Sequence, residues 1–210
     1  MNRRLRYQVA MSLDGFIAGP NGEYDWIVMD PAIDFAALFK EFDSAVMGRK
    51  TYEVLAAQGG HGALPGLEVV VFSRTLRPAM HPGVRIVNDD PRDVVAALKA
   101  TPGRDIWLYG GGECFRSLLD AGLVDTVEVA VVPVLLGSGV PLLAPGAATK
   151  LSLADQKTLP ASGIVALSYS IPGGVGPAPP IGYIRAAKSP TKTRTKAGTR
   201  TGTKPGGRRR

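Results

Sequence analysis

The chain has 210 residues, 45% of them hydrophobic, and a formal net charge of +7; this suits one globular domain with its own core and excludes a wholly disordered chain or a stapled miniature. A single cysteine, Cys114, excludes an intramolecular disulfide and points to a reducing cytoplasm, with the thiol read as a small core residue. The charge is unevenly placed: Arg185 to Arg210 carries ten Lys or Arg and no acid, leaving residues 1–184 with 15 basic against 18 acidic side chains, a net of −3.

The basic start, Asn2 to Arg6, leads into an apolar stretch broken by Gln8 and Ser12, too short for a signal segment. No run approaches the ~18 apolar residues of a membrane span, so a soluble, cytoplasmic protein is expected. Tyr7 to Met11 reads as a first strand, followed by a loop rich in Gly, Pro and Asn up to Asp25. Asp30-Pro31 predicts a helix start, with Phe35, Leu38, Phe39 and Phe42 on its apolar face. Ser44 to Met47 and Leu67 to Phe72 read as short buried strands, Val84 to Val87 as another, and Pro91 to Ala100 as a helix. Asp105 to Tyr109 is a strand-like run, and three glycines separate it from the helix-like Cys114 to Leu119. Thr126 to Pro133 is a long β-branched strand, Leu135 to Pro145 a Gly/Pro loop, and Lys150 to Lys157 and Ile164 to Ile171 are closing antiparallel strands.

Strands alternating with helices predict an α/β core with a mostly parallel sheet and an antiparallel edge. Pro172-Gly173-Gly174 marks the expected end of the domain, 1–174, and residues 175–210 read as a disordered basic tail. Ligands of such sheets bind beyond the carboxyl ends of the strands. Those ends carry Gly48-Arg49-Lys50-Thr51, Ser73-Arg74-Thr75 and Gly110-Gly111-Gly112-Glu113. Glycine lets a ligand approach the backbone, a helix start offers unpaired N–H groups, and guanidinium and hydroxyl groups suit phosphate. Taken singly, each segment also reads as a plain turn or solvated loop; together they point to a cofactor with several phosphates. A Walker A loop needs a Gly-Lys-Ser/Thr ending and a Rossmann fingerprint needs a glycine where Phe115 sits, so neither fits. His61 and His81 lie apart in loops with no second ligand, so no metal is expected.

The set resembles the dihydrofolate reductase superfamily, in particular the branch that contains the reductase domain of bacterial riboflavin biosynthesis, over roughly Leu5 to Ile171. The resemblance implies a dihydrofolate reductase-like fold and NADPH as cofactor. It implies that Ala10 and Ile17, in Ala10 to Ala18, contact the nicotinamide. By the same likeness Gly48, Arg49, Lys50 and Thr51 hold phosphates, Ser73 and Arg74 the adenosine 2′-phosphate, and Gly110, Gly111, Gly112 and Glu113 line the pyrophosphate. Tyr109 would face the active site, where the proton comes from Asp34, from Tyr109 or from water; outside that likeness Tyr109 reads as a half-buried core residue. The family's catalytic acid on the first helix aligns with Phe35, one residue from Asp34, and one residue turns a helical side chain by about 100°. Asp34 is therefore read either as a catalytic proton donor or as a solvated helix acid. Asp14 is read either as ordering the nicotinamide loop or as an ordinary Asp-Gly turn. Val131 to Gly139 looks like the riboflavin-type reductases, while Leu55 to Gly60 stands where their Ala-Asp-Asp-Pro stretch would be.

The implied activity is NADPH-dependent reduction of a pyrimidine-, pteridine- or ribosylamine-like small molecule, similar to 5-amino-6-(5-phosphoribosylamino)uracil reductase. The resemblance also implies a homodimer. Two other classes stay open: a nucleic-acid-associated protein acting through non-specific contacts of the tail, and a cofactor-binding protein without catalysis.

Overall fold

The strand Leu5–Ser12 (β1) lies inside an eight-stranded sheet, and its alternating side chains divide the molecule into two cores. The computed structural model describes residues 3–185. After β1 come β2 (Phe16–Ala18), α1 (Phe35–Phe39), β3 (Phe42–Gly48), α2 (Arg49–Ala57), β4 (Glu68–Phe72) and β5 (Arg85–Val87). Then follow α3 (Pro91–Ala100), β6 (Asp105–Gly110), α4 (Gly112–Asp120), β7 (Thr126–Val132), β8 (Val140–Pro141), β9 (Ser152–Leu159) and β10 (Ile164–Ser170). The large sheet runs β5-β4-β3-β6-β1-β7-β10-β9. Its first six strands are parallel, and β10 and β9 close it antiparallel. Leu5 and Tyr7 face α3 and α4 with Val95, Phe115 and Leu118; the opposite face carries Phe42, Met47 and Trp107 under α1 and α2.

Two sequence expectations are corrected here. Asp30-Pro31 does not start a helix. Asp30 accepts from the Ala32 amide at 2.8 Å and from the Ser162 amide at 3.1 Å, so its carboxylate ties a turn to the β9–β10 hairpin. The helix starts at Phe35 with Asp34 as its cap, Phe35 is exposed, and Phe42 belongs to β3. The domain does not end at Gly174 either. Residues 175–185 form a strap across β9 and β10: Val175 donates to Asp125 (2.8 Å), Ala178 to Ser170 (2.8 Å) and Ile181 to Asp155 (2.9 Å). Ile181, Tyr183 and Ile184 are buried, and Ile184 forms an isolated antiparallel bridge with Ile33 before α1. Its Pro/Gly composition prevents a regular ladder, yet these three side chains have enough apolar surface to order it. Residues 186–210, the rest of the expected basic tail, lie outside the described residues.

One charge network is enclosed between these layers. Arg6 is 2% exposed and binds Glu128 through two nitrogens (2.8 and 2.7 Å), Glu41 at 2.7 Å and Asp105 at 3.4 Å. Burial opposes its charge, but the carboxylates, Glu128 first, outweigh it and raise its pKa. Such a cluster adds little net stability, whereas removing one partner strands a buried charge.

Truncation after Gly174 removes the buried side chains of Ile181, Tyr183 and Ile184. At ~1.5–3 kcal/mol per buried apolar side chain, urea unfolding should show a loss of about 4 kcal/mol or more. An unchanged midpoint would contradict the packed strap.

Candidate active site

Register brings the strand ends into one row. Gly48 pairs with Phe72, Phe72 with Val87, and Met47 with Gly110, so β3, β4, β5 and β6 finish side by side. Two nine-residue helices leave this row: α2 with Gly48 as N-cap and α4 with Gly111 as N-cap, both without a side-chain cap hydrogen bond. Their first N–H groups and the positive ends of their dipoles lie at the same end of the sheet.

The glycines have distinct physical reasons. Gly111 has φ +97°, a conformation that favours glycine. A Cβ there would sit 3.3 Å from Thr51 Oγ1, and one on Gly112 would sit 2.6 Å from the Pro141 carbonyl oxygen. The triple glycine is thus pressed between Thr51 and the loop after β8. Around Gly48, by contrast, a Cβ would meet open space.

The other expected contacts divide into free and engaged groups. Arg49 pairs with Glu53 at 2.8 Å, and both side chains are more than 40% exposed, a surface pair weak enough to exchange for a phosphate. Lys50 and Arg74 are exposed, and no ion pair to Arg74 exists among the described residues. Ser73 is buried and its Oγ accepts from Thr75 N (3.2 Å) and Leu76 N (3.0 Å), so the hydroxyl builds the turn that presents Arg74. Glu113 is exposed in the first turn of α4, where its carboxylate suits the helix dipole and only its backbone can face an anion.

Ala10 and Ile17 are half-buried, and a clasp orders the loop between them. Asp14 accepts from Ser12 Oγ (2.6 Å), Leu136 N (3.0 Å) and Gly137 N (2.7 Å), and Leu142 N donates to the Gly15 carbonyl at 2.9 Å. β2 pairs with β8, a two-stranded ribbon that the sequence reading missed. Asp14 therefore orders the loop. The Ser12 hydrogen bond, with those of Gly137 and Leu136, holds its carboxyl below the usual range.

Tyr109 and Asp34 differ in the state of their protons. Tyr109 is half-buried against Trp107, 5.0 Å between ring centres, and burial with Tyr24 nearby raises its pKa, so the phenol keeps its proton. Asp34 accepts from Ala37 N at 3.0 Å and from Arg185 at 2.9 Å, and these contacts lower its pKa. It serves as an ionised helix cap, which suits it poorly to donating a proton. Gln8, on the same side of β1 as Ala10, is buried, and its carbonyl accepts from Trp107 Nε1 at 3.0 Å. Two depressions, about 460 Å³ beside α3 and about 320 Å³ between α4 and the loop 142–149, are lined by none of the strand-end residues. The strand-end row is the better candidate because it gathers two helix starts with Arg49 and Arg74, whereas the first depression sets Arg85 among Asp89, Asp90 and Asp93 and the second holds one arginine, Arg116, already paired with Asp120.

A mostly parallel sheet with an antiparallel β10–β9 edge and flanking helices is a dihydrofolate reductase-like fold. Dihydrofolate reductase from Enterococcus faecalis, solved with NADP(H), shares it at TM-score 0.58 and 17% identity, over 82% of this chain and 99% of that one. Within that class the chain belongs to the RibD C-terminal domain family, whose profile matches residues 3–165. The uncharacterized protein YyaP of Bacillus subtilis (strain 168) is 34% identical over 179 residues, 80% of this chain and 94% of YyaP. A proposed riboflavin biosynthesis protein from Shewanella sp. PV-4 is similar at 26% identity and TM-score 0.68, over 81% of this chain and 99% of that one. The chain therefore carries a reductase-type fold. No helix among the described residues is long and apolar enough to cross a membrane.

The Asp14 clasp gives a pH dependence with a definite sign. A depressed carboxyl stabilises above its unfolded pKa, and that contribution is lost as pH falls through the folded value. The Leu136 and Gly137 amide resonances should therefore shift together in an acid NMR titration, with a midpoint below the ordinary carboxylate range, and Asp14→Asn should abolish the transition. A midpoint at the ordinary value would contradict the clasp.

Cys114 gives a second test. Burial pushes its thiol up to about 12, so a thiol reagent at pH 8 should react with the unfolded protein and hardly with the native one. Cys114 is partly buried and packs against the core around Phe115; fast native labelling would contradict that packing.

Proposed function

We propose that this protein is an NADPH-dependent reductase of a pyrimidine-, pteridine- or ribosylamine-like small molecule. The observation that carries the reading is the row of strand ends with two uncapped helix starts on either side of the Gly111–Thr51 contact. These residues fit a nucleotide cofactor with several phosphates. The amides at the start of α2, with Arg49 released from Glu53, would hold one phosphate group. Those at the start of α4 would hold another. Arg74, on the turn built by Ser73, would read the 2′-phosphate that separates NADPH from NADH. Bound there, the cofactor supplies the hydride that reduces a C=N or C=O.

The rest of the reaction belongs to the chain. Ala10 and Ile17, held by the Asp14 clasp, would orient the nicotinamide and exclude water from it. Tyr109, neutral and at the end of β6, would bring a proton to the reduced atom. Asp34 would keep α1 in place through its cap and its pairing with Arg185. The same proposal includes a homodimer: β9 is one of the two edge strands, and Leu153 on it and Leu151 just before it are exposed, an edge that a second copy can cover.

Nicotinamide fluorescence titration tests this reading. NADPH should bind more tightly than NADH, and Arg74→Ala should weaken NADPH by about 10- to 100-fold, the range for a charge-assisted contact, with little effect on NADH. Equal, weak binding of the two nucleotides would overturn it.

A further inference from the structure

The two histidines of the chain converge on one tyrosine. Tyr52, on α2 one residue after Thr51, is 2% exposed. Its hydroxyl lies 2.9 Å from His81 Nδ1 and 3.4 Å from the His61 carbonyl oxygen. The His81 and Tyr52 rings meet edge to face, 5.3 Å between centres and at 82°.

His61 bends the backbone onto this tyrosine. It has φ +53°, the one positive value at a non-glycine residue among the described residues, in a region that few side chains adopt. It stands in the short turn Gly60–Gly62, and a Cβ on Gly62 would sit 2.5 Å from Tyr52 Cε2. The turn is folded against the ring and fixes the direction of its hydroxyl.

His81 belongs to the loop between β4 and β5 that carries Arg74. At its start the loop is anchored by Ser73, whose amide donates to the Val87 carbonyl at 2.8 Å and whose Oγ accepts from the Thr75 and Leu76 amides. Further on the chain makes local turns, with Met80 N donating to the Arg77 carbonyl (2.9 Å) and His81 N to the Pro78 carbonyl (3.1 Å). Of residues 74–83, all but Leu76 and His81 are exposed. Among the described residues, the His81–Tyr52 bond is the one hydrogen bond tying residues 77–83 to another part of the chain. Arg49 and Arg74 thus stand on two segments joined at Tyr52: Arg49 begins its helix, and Arg74 begins the loop that His81 fastens.

A charged side chain on a loose loop must be ordered when its ligand binds, and that cost is subtracted from the affinity. We propose that the Tyr52–His81 hydrogen bond is a positioning device for nucleotide selection, holding the loop after Ser73 against α2 so that Arg74 is in place before the 2′-phosphate arrives. The inference rests on the reductase reading above and deepens it. Arg74 supplies the charge; His81, without touching the nucleotide, sets how much of that charge becomes a preference for NADPH over NADH.

The test measures NADPH and NADH affinities by nicotinamide fluorescence on the full chain as wild type, Tyr52→Phe, His81→Leu, His81→Asn, Arg74→Ala and the double variant Arg74→Ala/His81→Leu. Tyr52→Phe and His81→Leu should each weaken NADPH by about 3- to 10-fold, the effect of one hydrogen bond, and leave NADH unchanged. His81→Asn, which sets a polar atom where Nδ1 stands, should keep the wild-type preference. The double variant should bind NADPH no more weakly than Arg74→Ala, because the bond acts through Arg74. His81→Leu, on a surface loop, carries the test if Tyr52→Phe does not fold. The proposal is overturned if the folded variants keep the wild-type ratio of affinities, if they lose both nucleotides alike, or if the His81→Leu loss adds in full to that of Arg74→Ala. In those outcomes the wild-type preference for NADPH stands and the positioning role alone falls. A wild type that binds NADPH and NADH alike overturns the reductase reading together with this proposal.

Discussion

Backbone meets backbone where β6 turns into α4. The Pro141 carbonyl oxygen lies 2.6 Å from where a Gly112 Cβ would be, which leaves room for glycine alone, and Gly111 combines a φ of +97° with Thr51 Oγ1 3.3 Å from its would-be Cβ. This close approach holds together segments far apart in the chain. The loop after β8 lies against Gly112, the turn after β1 is bound to that loop through Gly15 and Leu142, and Asp14 binds its earlier part at Leu136 and Gly137. The helix start at Arg49 is fixed from the other side by Thr51. A single substitution at Gly112 would therefore disturb both walls of the candidate site as well as the strand end.

The same glycines read differently once their neighbours are known. From the sequence, three glycines at a strand-to-helix junction suggest an anion site. Structurally, Gly112 is required by a carbonyl oxygen of the protein itself, and Gly111 by its own φ of +97° and by Thr51. The site that remains for a ligand is the pair of uncapped helix starts on either side of them. Close packing among the glycines holds those starts at one end of the sheet.

Much of this was legible because strands and helices of this chain obey local patterns. Pro91–Ala100 is a helix with Asp90 as its cap, as Asp before Pro predicts. The identical Asp-Pro pair at Asp30 misleads, because its carboxylate is claimed by the Ser162 amide 132 residues away, and no local rule sees such a partner. The strap at 175–185 was hidden by its Pro and Gly content, although Ile181, Tyr183 and Ile184 already held the apolar surface that buries it. For the site, the ends at Gly48, Ser73 and Gly110 could be named from residue type, while their alignment follows from register. The roles of Asp34 as a cap paired with Arg185 and of Ser73 as a turn-builder depend on hydrogen bonds that residue type does not reveal.

The proposed nucleotide would lie across the starts of α2 and α4, and hydrogen–deuterium exchange with and without NADP+ observes those amides directly. Protection should appear at Arg49 to Thr51 and at Gly111 to Cys114, and to a lesser degree in the turn at Ser73 to Thr75. Binding that leaves all three segments unprotected, or protects only residues around the depression between α4 and the loop 142–149, would contradict it.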